Sequence, residues 1–178
     1  MGGLTSQPYL NLIAPTDTAV EIYLDRPSQF IIDNQKQLLP TWDKPVTQVI
    51  LVLQQSRLSL EHNTEAVARE KDRLREQFFR FGCSLVFGLR DRNLLSDLCD
   101  PRSGYPVISR EGEITLSDAA LVKALLGFEV IDYNDCSLII HPQWGSAMYP
   151  STILTSAGLD ELKPVLDKAI ALLGWTSK

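Results

Sequence analysis

The chain has 178 residues, 44% apolar and 22% charged, a balance that fits a globular unit and excludes a disordered or fibrous one. At roughly 100–200 residues per domain this is one compact unit, long enough to bury about 70% of its unfolded surface without covalent staples. Seventeen Lys plus Arg against 22 Asp plus Glu give a net charge of -5, which disfavours a nonspecific grip on nucleic acid or an anionic membrane and leaves small ligands and proteins as partners.

In chain order, Leu4 to Ala14 is apolar but broken by Pro8 and stopped by Pro15, so residues 1–17 are expected to form an irregular N-terminal arm and residues 18–178 a single α+β domain. Ala19 to Leu24 alternates and predicts a strand. Phe30 to Trp42, between Pro27 and Pro40, reads as a loop or an ambiguous segment. Val46 to Gln54 is the clearest strand, and its run Val49 to Leu53 predicts burial on both faces. Asn63 or Thr64 caps a long helix from Glu65, with Val67, Leu74, Phe78, Phe81, Leu85 and Leu89 drawing one apolar stripe. Glu65 with Arg69 and Glu76 with Arg80 pair one turn apart on its wet face.

After the turn chemistry of Asp100 to Gly104, Tyr105 to Ser109 is expected to extend as a strand. A short helix follows from a Ser117 or Asp118 cap to Leu126, with Gly127 placed for a left-handed end. Phe128 to Asp132 and Cys136 to His141 flank the turn Tyr133-Asn134-Asp135 and predict a β-hairpin. Gly145 to Thr155 adds a strand. Leu159 to Leu173, capped near Gly158 or Asp160, closes the chain as a helix that carries Pro164 early and meets Gly174 at its end. The expected class is α+β, a sandwich of sheet and helices.

The three cysteines, Cys83, Cys99 and Cys136, form no C-x-x-C pair and read as free thiols of a reducing compartment. The longest aliphatic run falls far short of the ~20 residues that span a bilayer, and the start lacks a signal-peptide pattern, so a cytoplasmic location is expected. Met1 to Ser6 fits the loose myristoylation pattern, but no basic cluster follows to make one acyl chain hold.

The common nucleotide, zinc-protease and hydrolase signatures are absent, which removes most enzyme classes. With His62 and His141 the only histidines and no ligand-like spacing, no structural metal is predicted. Ser103, His141 and an aspartate make a triad only on paper, because Ser103 sits on a Pro-Gly turn without an oxyanion hole. The remaining density of unusual residues is Asp135 to Ser146. Strand alternation groups Cys136 with Leu138 and Ile140 and sends His141 with Ile139 to the other side, so cysteine and histidine do not act as a pair. Two readings of Cys136 stay open: a small apolar filler, or an exposed thiol beside a tight turn that can bind soft metals. For His141, Trp144 and Gly145 the alternatives are a hydrogen bond to a loop carbonyl, an edge cover and a backbone kink, or contact with a ligand or partner.

Three motifs in order, Asp100-Pro101-Arg102-Ser103-Gly104, Leu126-Gly127-Phe128 and His141-Pro142-Gln143-Trp144-Gly145, make Leu98 to Ala157 resemble the methylmalonic aciduria and homocystinuria type D protein family of cobalamin trafficking chaperones. A looser likeness runs back through the strand at Val46. The resemblance implies a nitroreductase-like α+β fold, mainly antiparallel, that has lost its flavin site and its catalysis. It implies an adaptor in intracellular cobalamin (vitamin B12) metabolism that docks on a type C cobalamin-processing protein, serves a cobalamin-dependent enzyme and holds cobalamin transiently. The same resemblance makes Cys136 the candidate thiolate for cobalt, and Asp135, His141 and Trp144 stand beside it as candidate partner contacts. Better known members carry two adjacent cysteines in that hairpin, whereas here Asp135 precedes Cys136 and adds negative charge beside the thiol. The rival class is a flavin-dependent reductase on the same scaffold, whose weakness is the lack of an evident basic cluster for an anionic cofactor. A plain interaction module without cofactor is the third reading.

Overall fold

The strand Gln48–Gln55 (β3) explains the architecture, because Val49 through Leu53 are all fully buried. Successive side chains of a strand point to opposite faces, so such a run needs cover on both sides. Ile50 and Val52 enter one hydrophobic cluster, and Val49, Leu51 and Leu53 enter the other. The computed structural model describes residues 7–133 and 136–178. Within them, Leu10–Ile13 (β1), Ala19–Asp25 (β2), β3, Ser96–Cys99 (β4), Met148–Thr155 (β7) and Thr176–Ser177 (β8) form a six-stranded sheet. Its order is β4-β7-β3-β2-β1-β8, and each neighbouring pair is antiparallel.

The first face is covered by the helices Glu65–Arg90 (α2) and Leu159–Leu172 (α4). The whole predicted stripe of α2, Val67 through Leu89, is buried, and Thr64 accepts from the Val67 N–H at 3.2 Å as N-cap. Both predicted pairs on its wet face are formed, each at 2.7 Å between largely exposed side chains, which makes them worth little. The second face is covered by Gln29–Leu38 (α1), Asp118–Leu126 (α3) and a separate hairpin of Glu129–Tyr133 (β5) and Cys136–Ile140 (β6). Ser117 caps α3 by accepting from Ala120, and Gly127 ends it at φ 70°. The α+β class and the mainly antiparallel sheet agree with the sequence reading.

Three segments differ from it. Leu10–Ile13, read as part of an irregular arm, is a strand between β2 and β8, because Pro8 and Pro15 lie outside it and leave its ladder intact. The segment read as a loop carries α1, capped by Ser28 and pressed onto the sheet through Ile31 and Leu38. Gln35 anchors it further, accepting from the Val46 N–H and donating to the Lys44 carbonyl, both at 2.8 Å.

Tyr105 to Ser109 is not a strand. Apart from a bridge between Cys99 and Pro106, the segment from Val107 to Ser109 gives its N–H groups to one carboxylate, while the Tyr105 N–H turns back to Ser103. Asp97, fully buried on β4, accepts from Val107, Ile108 and Ser109 at 2.5–3.2 Å, with Arg90 3.8 Å away. A buried carboxylate that satisfies several N–H groups at once outcompetes a strand neighbour. Replacing Asp97 by Ala orphans those donors and is expected to lower the free energy of unfolding by about 3 kcal/mol, with a smaller loss for Asp97→Asn, measured by urea denaturation.

Candidate functional site

Strand β4 stops at Cys99, opposite Thr152, while β7 continues back to Met148 against β3 alone on that side. The chain leaves β4 through a tight turn in which Asp100 accepts from the Arg102 N–H at 3.0 Å and Ser103 from the Tyr105 N–H at 3.2 Å, as their turn-forming reading expects. Gly104 holds φ 75°, and a Cβ there would lie 2.5 Å from the Leu116 carbonyl oxygen, so only glycine fits. Arg75 of α2 clamps Asp100 with two bonds of 2.8 and 2.6 Å, and this guanidinium holds the Asp100 carboxyl below its ordinary range.

The bare end of β7 floors a cavity of about 680 Å³. Its walls are α2 at Ala68, Lys71 and Asp72, the turn from Pro101 to Gly104, the start of α3 and strand β6 from Cys136 to Ile139. Lys71 and Arg102 bring positive charge, but Arg102 is paired with Asp72 across the mouth. Asp118, the first residue of α3, accepts from the Thr152 hydroxyl at 2.6 Å. Burial outweighs that bond, and the nearby Asp100 charge adds to it, so the Asp118 carboxyl is pushed up to about 7. Tyr149 is likewise raised by burial and by the Asp118 charge.

Cys136 is exposed on the rim of this cavity and is a free thiol. The apolar-filler reading therefore fails for Cys136 and fits Cys99, which is buried with its thiol pushed well up by burial and by the Asp118 and Asp97 charges. Cys136 pairs directly with Tyr133 across the hairpin, and Leu138 with Ile131, so these four side chains share a face. Ile131 and Tyr133 are 44% and 48% exposed, leaving an apolar platform around the thiol. Asp135, expected beside Cys136, lies outside the described residues.

The other face of β6 points inward, as alternation predicts: Ile139 and His141 are buried. The ring of His141 bonds through Nε2 to the Glu21 carboxylate at 2.9 Å, while Nδ1 accepts from the Gln143 and Trp144 N–H groups, both at 3.1 Å. It is thus a receiver of loop N–H groups and not a donor to a loop carbonyl. Trp144 stacks on it at 4.0 Å between ring centres, and Phe128 meets it edge-on at 5.4 Å. His141 is 3% exposed and lies beneath the half-buried Trp144. Gly145, at φ 57°, closes the turn back onto His141 with paired backbone bonds of 2.8 and 2.9 Å, so the predicted kink is real. This places His141 and Trp144 at the opposite end of β6 from Cys136, consistent with their separation into two environments.

Glu21 and Tyr23 were missed as site residues. The signal was present: two polar groups two apart in a predicted strand, on the face that also carries aliphatic cover. Asp118 and Thr152 lie 34 residues apart and no sequence pattern joins them.

Among the described residues no group of three or more His, Cys, Asp or Glu side chains is placed to hold a metal, and no helix is long and apolar enough to cross a membrane. The sequence matches the family described as methylmalonic aciduria and homocystinuria type D protein over residues 13–165. It is 26% identical over 125 residues to the cobalamin trafficking protein CblD of Rattus norvegicus, covering 70% of this chain and 42% of that protein. Against CblD of Homo sapiens it is 28% identical over 112 residues, covering 63% of this chain and 38% of that protein. The chain thus spans less than half the length of the curated relatives it matches.

Two outcomes follow from this geometry. An aromatic disulfide reagent at neutral pH is expected to titrate one thiol rapidly, a phase abolished by Cys136→Ser, with Cys99 reacting only on unfolding. Asp118 binds its proton more tightly folded than unfolded, so its contribution to stability is full below about pH 4 and is lost as pH rises through about 7. Relative to Asp118→Asn, the wild-type free energy of unfolding is expected to fall by roughly 2–4 kcal/mol between pH 4 and pH 8 in denaturant titrations.

Proposed function

Because the chain belongs to the methylmalonic aciduria and homocystinuria type D protein family, we propose that it is a non-enzymatic adaptor in cobalamin trafficking, with cobalamin as cargo. The observation that carries this reading is the exposed free thiol of Cys136 on the hairpin, beside an apolar platform and the mouth of the 680 Å³ cavity.

The fit is chemical. The corrin ring supplies four equatorial nitrogens, so its cobalt asks a protein for one axial donor, and a soft thiolate suits that role better than the carboxylate of Asp135. A lone cysteine thus suffices where a bare metal ion would need a cluster. Ile131 and Tyr133 offer a flat apolar surface beside it, on the side where a macrocycle would rest. The platform and thiol lie open on the surface, so the cargo in this reading is shared between two proteins instead of being swallowed by this chain. In this reading a type C cobalamin-processing protein docks over the hairpin end, and a cobalamin-dependent enzyme receives the cargo later. Trp144 and Asp135 contribute contacts, and His141 acts as a positioning residue beneath Trp144. The sheet with helices on both faces serves as a nitroreductase-like scaffold without flavin, and the matched relatives are named for cobalamin trafficking, not for reductase chemistry.

The experiment mixes the protein with a type C processing protein and cobalamin and follows complex formation by gel filtration and the visible cobalamin spectrum. Wild type is expected to form the complex and shift the spectrum, and Cys136→Ser to keep the complex while losing the shift. Absence of a complex with wild type overturns the adaptor role; an unchanged shift with the serine variant overturns only the thiolate.

A further inference from the structure

Strand β2 carries a carboxylate that the hairpin site does not use. Glu21 is 8% exposed and holds two neutral donors on the same oxygen: the Tyr23 hydroxyl at 2.8 Å and the His141 ring at 2.9 Å both bond Oε2. The ring is neutral as bonded, because Nδ1 accepts two backbone N–H groups and so carries no proton, leaving the Nε2 proton to point at Glu21. The pair is therefore a charged carboxylate with a neutral imidazole, and the negative charge is not cancelled. Burial opposes the charge, but the bonds from His141 and Tyr23 together with the positive charge of Lys178 hold the carboxyl below its ordinary range, hence ionised at neutral pH.

The second oxygen, Oε1, has no partner among the described residues. Glu21 lines a recess of about 290 Å³ together with Tyr23, Phe128 and His141. The rim adds the amide side chains of Gln7, Asn11 and Gln143, and no Lys or Arg is among the lining residues. Lys178 acts on Glu21 only through a longer-range charge effect and forms no ion pair with it among the described residues. An ionised carboxylate in a recess lined by aromatic rings and by amide acceptors is complementary to a cation that also donates hydrogen bonds.

We propose that this recess binds a guanidinium or alkylammonium head group, with Glu21 Oε1 as its anchor and the rings of Tyr23 and Phe128 as its walls. The volume admits such a head group with a few methylenes and is too small for a corrin. The head group is borne either on a side chain of a docked protein or on a free small cation. The inference does not depend on the cobalamin reading, since neither Cys136 nor the larger cavity takes part.

The test is an amide-detected NMR titration of the full chain, without cobalamin. The probes are acetyl-Gly-Arg-Gly-amide, its neutral citrulline analogue and guanidinium chloride, at matched ionic strength. The arginine peptide is expected to give saturable shifts at the Trp144 indole N–H and the Asn11 and Gln143 side-chain amides, and the citrulline peptide none. Glu21→Gln is expected to weaken binding at least tenfold. Should that variant fail to fold, Gln143→Lys, on the exposed rim, plants a competing cation beside the recess and is expected to weaken binding to a similar extent. Tighter binding of the peptide than of guanidinium chloride assigns the head group to a protein side chain, and equal binding assigns it to a free cation. No saturable shift with wild type, equal shifts with the neutral peptide, or unweakened binding by Gln143→Lys would overturn the proposal.

Discussion

The two-faced burial of β3 governs the rest of the molecule. Val49 to Leu53 are all fully buried, and each such side chain is worth roughly 1.5–3 kcal/mol only if both faces are covered. One face takes α2 and α4, which pack long apolar stripes. The other takes shorter pieces: α1, α3 and the β5–β6 hairpin. Short pieces cannot tile a six-stranded sheet without seams. The two recesses of interest lie where that second layer ends, one beside β7 and one beside β2.

The hairpin is where cover and function meet. Its inward face spends Ile139 and His141 on the core, and its outward face keeps Cys136, Tyr133 and Ile131 accessible. A two-stranded hairpin is marginal alone, so its inward anchors have to be strong. His141 supplies one through Glu21, and Trp144 stacks over it to shut out water. A thiol presented on a firmly anchored ribbon is held in place without being enclosed.

Carboxylates recur as organisers here, in three different ways. Asp97 absorbs the N–H groups of a segment that would otherwise be a strand. Glu21 keeps its charge because two donors converge on it. Asp118 has only the Thr152 hydroxyl against its burial and drifts toward neutrality. Between Glu21 and Asp118 the number of donors separates the two directions, since each bond offsets part of the desolvation cost.

Much was legible in the residues. The stripe of α2, the Thr64 cap, the Gly127 terminator and the inward and outward sorting of β6 are local patterns, and local periodicity is enough to read them. The family likeness rested on short motifs that also proved structural: the Asp100 turn, the start of the hairpin and the His141–Gly145 turn. Only the tertiary structure decided that α1 is a helix, that Leu10–Ile13 joins the sheet and that Tyr105 to Ser109 does not. It alone placed Glu21 beneath His141, 120 residues away, and Asp118 against Thr152. Such pairings depend on which strands become neighbours, and hydrogen bonds between distant segments leave no period in the chain for a reader to find.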